Sequence, residues 1–195
     1  SAARTAWDST RLIPPSVILT EGLGRFNEEG FLGPAYKSFP TGGDPNLKPF
    51  AVEGVVAPGV SDQRQGHRRA LLHALDTLGG ALPAHPEFAA LDACEAKAYE
   101  MILGESRTAF DLTQEPDALR DAYGRNKFGQ SCLMARRLVE AGVRYITINY
   151  GGWDTHKGHF ETMRRRLPEF DAGLATLLQD LAARRLLDTT VVWCG

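Results

Sequence analysis

The C-terminal part of the chain constrains the fold more than any other part. A run of β-branched and aromatic residues at 143–150 is typical of a buried strand. An apolar series at helical spacing extends from Phe160 to Leu181, and a second β-branched and aromatic run occupies 189–194. Two buried strands joined by a long amphipathic segment favour parallel pairing with a right-handed crossover. We therefore predict a strand, helix, strand unit over 143–195.

A proline interrupts the apolar series of this unit. Proline lacks the backbone N–H of a helical hydrogen bond, and its ring clashes with the preceding turn. We therefore expect either a kinked helix or two helices that meet at Leu167 and Pro168.

The preceding residues divide into two segments. Residues 1–60 are rich in glycine and proline, which predicts loops and short strands, whereas residues 61–142 have the helical period. Together with the last segment they predict one α/β domain over 1–195, a partial doubly wound, mostly parallel sheet with flanking helices. The predicted helices run from Asp62 to Leu78, from Pro86 to Ile102, from Thr113 as N-cap to Tyr123, and from Phe128 to Gly142.

Composition excludes several classes of function. The 22 Lys and Arg residues against 24 Asp and Glu give a net charge of -2, which provides no positive field for nucleic acid. No apolar run approaches the roughly 20 residues that cross a bilayer, so no membrane span is predicted. The 3 cysteines are too dispersed for a disulfide framework. None of these features indicates an oligomeric state.

Two short basic runs stand out, Arg136-Arg137 and Arg164-Arg-Arg166. We interpret both as solvated helix faces whose aliphatic stems cover apolar surface.

The loop Gly151-Gly-Trp-Asp-Thr-His156 is the leading candidate for a functional site, because ligands of open α/β sheets bind beyond the carboxyl ends of strands. The carboxylate of Asp154 and the imidazole of His156 are suitable ligands for one divalent cation such as zinc. His159 is a lower-ranked third ligand, or a hydrogen-bond partner of a ligand.

A structural interpretation of the same loop stays open. Asp154 or Thr155 has the chemistry of an N-cap, with His156 and His159 in the first turn of the following helix. Trp153 is expected to be a core or lid aromatic, because neither other aromatics nor a basic stripe accompany it. The chain contains no serine-hydrolase elbow, phosphate loop or dinucleotide motif.

In the order of its motifs the chain resembles the bacterial sulfatase-like family known as domain of unknown function 1501. The motifs succeed one another in the family's order across most of the chain. They are Phe31-Leu-Gly-Pro-Ala-Tyr36, Ala109-Phe-Asp-Leu112, Tyr123-Gly124, Ala135-Arg-Arg-Leu-Val-Glu-Ala-Gly-Val-Arg144, Gly151-Gly-Trp-Asp-Thr-His156, Leu167-Pro168 and Leu186-Leu-Asp-Thr-Thr190.

The resemblance implies an alkaline-phosphatase-like fold and a metal-dependent hydrolase of phosphate or sulfate esters. Its substrate would be a small-molecule or glycan ester, and its location periplasmic or exported. Only Asp154 and His156 match the family's Asp-x-His motif. The alternative from another class is a non-catalytic exported binding or surface module that retains the fold.

The chain departs from the superfamily pattern at both ends. The acid and nucleophile at an early strand end, and the ligands after the last strand, are not found in it. Since the chain also stops within the run at 189–194, we predict an internal piece of a longer protein that is inactive alone. No catalytic residue is assigned to it.

Overall fold

A computed structural model describes residues 13–14, 16–22, 38–47 and 105–195, with the positions 52, 63, 64, 67 and 71. This part of the chain is α/β, as predicted. Its regular elements are β1 (Ser16–Leu19), β2 (Phe39–Pro40), α1 (Asp117–Tyr123), α2 (Lys127–Glu140), β3 (Tyr145–Ile148) and α3 (His159–Ala183), with 3-10 turns at Glu105–Phe110, Leu112–Gln114 and Leu187–Thr189.

The three strands form a parallel sheet in the order β2-β1-β3. Val17 of the central strand lies opposite Phe39 on one side and Ile146 on the other. Leu19, at the end of β1, is paired with Ile148, at the end of β3. Because the strands are parallel, their carboxyl ends meet at one edge of the sheet.

The helix predicted before Gly142 and the strand predicted after it are both formed. The strand is not buried as predicted, because Tyr145 is 66% exposed and the other residues of β3 are half-buried. The chain leaves α2 through Gly142, whose φ of 83° is in the left-handed region that glycine tolerates. The amide of Val143 donates a 2.9 Å hydrogen bond to the carbonyl of Leu138, which satisfies a carbonyl at the helix end. This turn leads directly into β3.

The helix predicted from Thr113 to Tyr123 is shorter than expected. Asp111, not Thr113, caps the first turn, and its Oδ1 accepts a 2.9 Å hydrogen bond from the amide of Thr113. Pro116 has an extended ψ of 141° and stands at the N-cap of α1. The chain therefore forms a 3-10 turn first and the α-helix only after the proline.

The strand predicted over 189–194 is not formed. A 3-10 turn occupies Leu187–Thr189, and residues 190–195 have no regular secondary structure. Val191 and Trp193 are 93% and 83% exposed. The physical reason is the lack of a partner, since no strand among the described residues lies beside β3 on the side away from β1.

The helix α3 is continuous through Pro168, so the two-helix alternative is wrong. Its buried residues are Gly173, Leu177 and Leu181, all in its C-terminal half. They pack against α2, which has an almost unbroken run of buried residues from Phe128 to Arg136.

Arg136 corrects the prediction of a solvated basic face. Its side chain is only 1% exposed and contacts carboxylates of three other residues. Its Nη2 lies 2.7 Å from Glu115 Oε2, its Nη1 2.6 Å from Glu140 Oε2 and its Nε 3.0 Å from Asp180 Oδ2. Burial lowers the pKa of Arg136, but the carboxylates of Glu115 and Glu140 raise it more, so the guanidinium is charged.

Other predictions concern residues outside those described. The positions 63, 64, 67 and 71 are helical, but the rest of the helix from Asp62 and the helix from Pro86 lie outside the described residues.

Cys132 is a buried free thiol, as expected of a small apolar residue, and Cys194 is an exposed one. Desolvation raises the pKa of Cys132 to about 12. None of the described helices is long and apolar enough to cross a membrane.

Candidate functional site at the carboxyl edge of the sheet

The chain leaves β3 into a glycine-led segment, residues 151–158, which we call the strand-end loop. It begins at the sheet edge where β1 also ends. Gly152 has a φ of 87° and Gly158 a φ of 63°, both in the left-handed region. These two glycines allow the loop to turn sharply after the strand and again before α3.

The loop brings together the two predicted ligands that are closest in sequence. His156 Nε2 lies 3.4 Å from Asp154 Oδ2, and the side chains are 86% and 89% exposed. This distance is longer than a good hydrogen bond between nitrogen and oxygen. It is close to the separation of about 3.3 Å between two ligand atoms of a tetrahedral zinc ion bound at ~2.0–2.1 Å.

The third predicted ligand, His159, has a hydrogen-bond partner within the loop. Its Nδ1 shares a 2.6 Å hydrogen bond with the hydroxyl of Thr155. The described residues contain no group of three or more His, Cys, Asp or Glu side chains that is arranged to hold a metal. The distance between Asp154 and His156 is compatible with two ligands of one cation. A metal role for Asp154, His156 and His159 stays a prediction.

The capping interpretation of the loop is wrong. The helix begins at His159, and its N-cap is Gly158, which makes no side-chain capping hydrogen bond. Neither Asp154 nor Thr155 is in the N-cap position. The two side chains are thus not needed to satisfy the first amides of α3.

Trp153 connects the loop to the body of the protein, but at 36% exposure it is not a core residue, and its lid role stays a prediction. Its Nε1 donates a 2.6 Å hydrogen bond to the carbonyl of Tyr150. Its ring makes edge contacts with Tyr150 at 5.4 Å and with Phe170 of α3 at 5.8 Å. Phe128 of α2 packs against Tyr150 at 4.6 Å and against Phe170 at 5.2 Å.

The hydroxyl of Tyr150 donates a 3.0 Å hydrogen bond to Glu169 Oε2. Burial raises the pKa of Tyr150, and the hydrogen bond to Glu169 raises it further, so the phenol stays protonated. This contact ties the start of the loop to α3.

Arg166 is the second arginine that departs from the predicted solvated basic faces, because it is half-buried. Arg164 and Arg165 are exposed, as predicted. The Arg166 guanidinium carbon lies 4.8 Å from the centre of the Tyr150 ring and 5.4 Å from that of Trp153. Its Nη1 also donates a hydrogen bond to the carbonyl of Gly151. The sequence does not reveal this role, because only the tertiary fold brings α3 back to the strand end.

Thr20 is a second residue at this sheet edge that the sequence does not single out. It lies directly after β1. Its φ of 72° is unusual for a β-branched residue. Its amide donates a 2.9 Å hydrogen bond to Thr41 Oγ1, and its side chain is buried. No pattern in the sequence marks this backbone strain.

The fold and the loop together define the class: an α/β protein with its candidate site at the carboxyl end of a parallel strand. A family model described as Protein of unknown function (DUF1501) matches residues 4–195. The chain belongs to this family, which confirms the family predicted from its motifs. No curated protein and no solved structure matches the chain.

Proposed function

We propose that the chain carries part of the divalent-metal site of a hydrolase that acts on phosphate or sulfate esters, within an alkaline-phosphatase-like fold. The observation that carries the proposal is the 3.4 Å distance between Asp154 Oδ2 and His156 Nε2 at a strand end. Zinc is the cation that this mixed oxygen and nitrogen pair suits best.

The exposure of Asp154 and His156 supports a metal site that a substrate can reach. A buried metal ion with a closed shell has a structural role, whereas a catalytic one keeps an open position. Asp154 and His156 are both on the surface of the loop, so the coordination positions that they leave unfilled are available to water or to an ester oxygen. A bound cation would supply Lewis-acid polarisation of that oxygen.

The charge around the loop supports an anionic substrate. Lys157 lies in the loop, and the exposed Arg164 and Arg165 follow in the first turns of α3. Positive side chains beside a metal site raise the local concentration of phosphate and sulfate esters. In this proposal the three basic residues, which outnumber the acidic Glu161 of the first turn, raise the local concentration of an anionic substrate. The nucleophile is not assigned to a residue of this chain.

Metal content is the first test. We expect purified wild-type chain to bind zinc, measured by titration and by elemental analysis after dialysis, and Asp154→Asn and His156→Ala to lose most of that zinc. Asp171→Asn and His67→Ala are matched controls, because both residues are exposed and lie outside the loop. Wild-type protein without zinc, or equal zinc in all five proteins, would contradict the site.

Turnover is the second test, and it is measured on the natural protein at its full length. We expect zinc-dependent hydrolysis of a chromogenic phosphate or sulfate monoester that Asp154→Asn reduces by a factor of about 100 or more, the scale on which loss of a catalytic electrostatic group acts. A complete protein that binds zinc through the loop but hydrolyses neither ester would favour the non-catalytic binding module.

A further inference from the structure

We propose that Arg166 is the positioning residue of the strand-end loop: it holds the loop against α3 so that Asp154 and His156 face one cation. The ligand part of this inference rests on the proposed function. The mechanical part, that Arg166 holds the loop in place, is independent of any metal.

The guanidinium of Arg166 has partners on both sides of the loop's first turn. It lies within cation–π distance of Tyr150, which precedes the loop, and of Trp153, which is inside it. Its hydrogen bond to the carbonyl of Gly151 fixes the backbone between these two rings. One side chain of α3 thus contacts three of the four residues at positions 150–153.

Gly152 shows how closely the arginine and the loop fit. A Cβ built on Gly152 would lie 2.8 Å from Arg166 Nη1 and 3.2 Å from its Cζ. The φ of 87° favours glycine here, and a side chain at this position would also displace the end of the Arg166 side chain. Asp154 follows Trp153 directly, so any movement of this turn moves the proposed ligands.

Arg165 provides a matched control. It is exposed, and its charge lowers the pKa of Tyr150, as the charge of Arg166 does. Replacing either arginine by methionine removes one positive charge near the loop, but only Arg166→Met removes the contacts with Tyr150, Gly151 and Trp153. A difference between the two variants therefore reports contact and not charge.

The mechanical part is tested by cleavage of the metal-free chain with a lysine-specific endoproteinase. Lys157 lies in the loop and Lys127 at the start of α2, so cleavage after Lys157 reports opening of the loop and cleavage after Lys127 reports opening of the body. We expect Arg166→Met to accelerate cleavage after Lys157 roughly tenfold, as suits the loss of two cation–π contacts and one charged hydrogen bond.

We expect the rate of cleavage after Lys127 to be unchanged, and Arg165→Met to match wild type at both sites. The inference is overturned if Arg166→Met leaves the rate at Lys157 unchanged, if both sites accelerate equally, or if Arg165→Met has the same effect.

Zinc affinity tests the ligand part. We expect Arg166→Met to bind zinc about tenfold more weakly than wild type and Arg165→Met, with Arg166→Lys between them because lysine keeps the charge but not the planar group. Equal zinc affinity of Arg166→Met and wild type would overturn the positioning of the ligands. If wild type binds no zinc, the proposed function fails, whereas the cleavage rates still decide whether Arg166 holds the loop.

Discussion

At the scale of single residues, Gly173 shows how tightly α2 and α3 pack. A Cβ on Gly173 would lie 2.9 Å from both Cδ1 and Cε1 of Phe128 and 3.3 Å from the Cα of Gly129. The Phe128 ring cannot easily move away, because it packs against Tyr150 and Phe170. The absence of a side chain at Gly173 therefore lets the two helices approach and keeps the aromatic anchor of the strand-end loop intact.

We expect Gly173→Ala to lower the free energy of unfolding by about 1–2 kcal/mol. Alanine gains up to about 1 kcal/mol of helix propensity over glycine, but overpacking costs ~1–3 kcal/mol. Chemical denaturation of wild type and variant measures the difference.

Phe128→Leu supplies the control for this prediction, because a smaller side chain removes the ring atoms that the new methyl group of Gly173→Ala would meet. In that background the same substitution is expected to be neutral or stabilising. A stabilised Gly173→Ala in the wild-type background would show that the helices are not in close contact at this point.

At the scale of elements, α3 holds a proline within a continuous helix. Pro168 is exposed and lies in the N-terminal half, beside Leu167, which is 50% exposed. Proline cannot donate to the carbonyl one turn earlier, so this part of α3 has one backbone hydrogen bond fewer than an alanine would provide. The helix is kept continuous by its contacts with the loop and with α2 rather than by its own propensity.

We expect Pro168→Ala to raise the free energy of unfolding by about 1–3 kcal/mol, since proline is ~3 kcal/mol less favourable than alanine inside a helix. Pro116→Ala is the matched control, because Pro116 is an N-cap with a φ of -57° that proline adopts without strain. There the substitution should be neutral or destabilising, through greater freedom of the unfolded chain. Equal effects at both prolines would contradict a regular helix through Pro168.

At the scale of the whole described molecule, a buried ion network joins the helical layer. Arg136 of α2 contacts Glu115, which precedes α1, and Asp180 of α3. Asp180 also accepts a 3.0 Å hydrogen bond from the hydroxyl of Tyr123 in α1, and Arg184 pairs with it at 2.7 Å. All three helices are therefore connected through side chains that, apart from the exposed Arg184, are largely shielded from water.

This network predicts how stability depends on pH. Burial raises the pKa of Glu115, but the adjacent guanidinium groups of Arg136 and Arg137 outweigh burial and hold the pKa below the usual 4.5. The folded state therefore binds a proton at Glu115 less readily than the unfolded state does. The contribution of the Glu115 carboxylate to the free energy of unfolding is complete above pH 4.5. It decreases as the pH falls through the pKa that Glu115 has in the folded protein.

We expect Glu115→Gln to lower the free energy of unfolding at pH 7 by up to about 3–5 kcal/mol, the cost of breaking a buried pair. The difference in free energy of unfolding between Glu115→Gln and wild type should shrink as the pH is lowered below 4.5. Asp171→Asn, on the exposed face of α3, should track wild type at every pH. A deficit that stays constant with pH would show that the charge of Glu115 does not stabilise the fold.

Local sequence by itself determined those features whose causes lie within a few residues of one another. The strand at Tyr145–Ile148 follows from its β-branched run, although its burial does not, and α1 and α2 end where Gly124 and Gly142 leave the helical conformation. The position of the loop after that strand, with Asp154 and His156 two residues apart, is equally local. These predictions needed no knowledge of distant contacts.

Tertiary structure alone decided the features that depend on a partner far away in sequence. The run at 189–194 has strand composition, but it lacks a neighbouring strand among the described residues. Arg136 and Arg166 belong to basic runs of ordinary appearance, yet one is buried among carboxylates and the other lies over two aromatic rings. Hydrogen-bond pairing and charge burial depend on which surfaces the fold brings together, and composition within a short window does not contain that information.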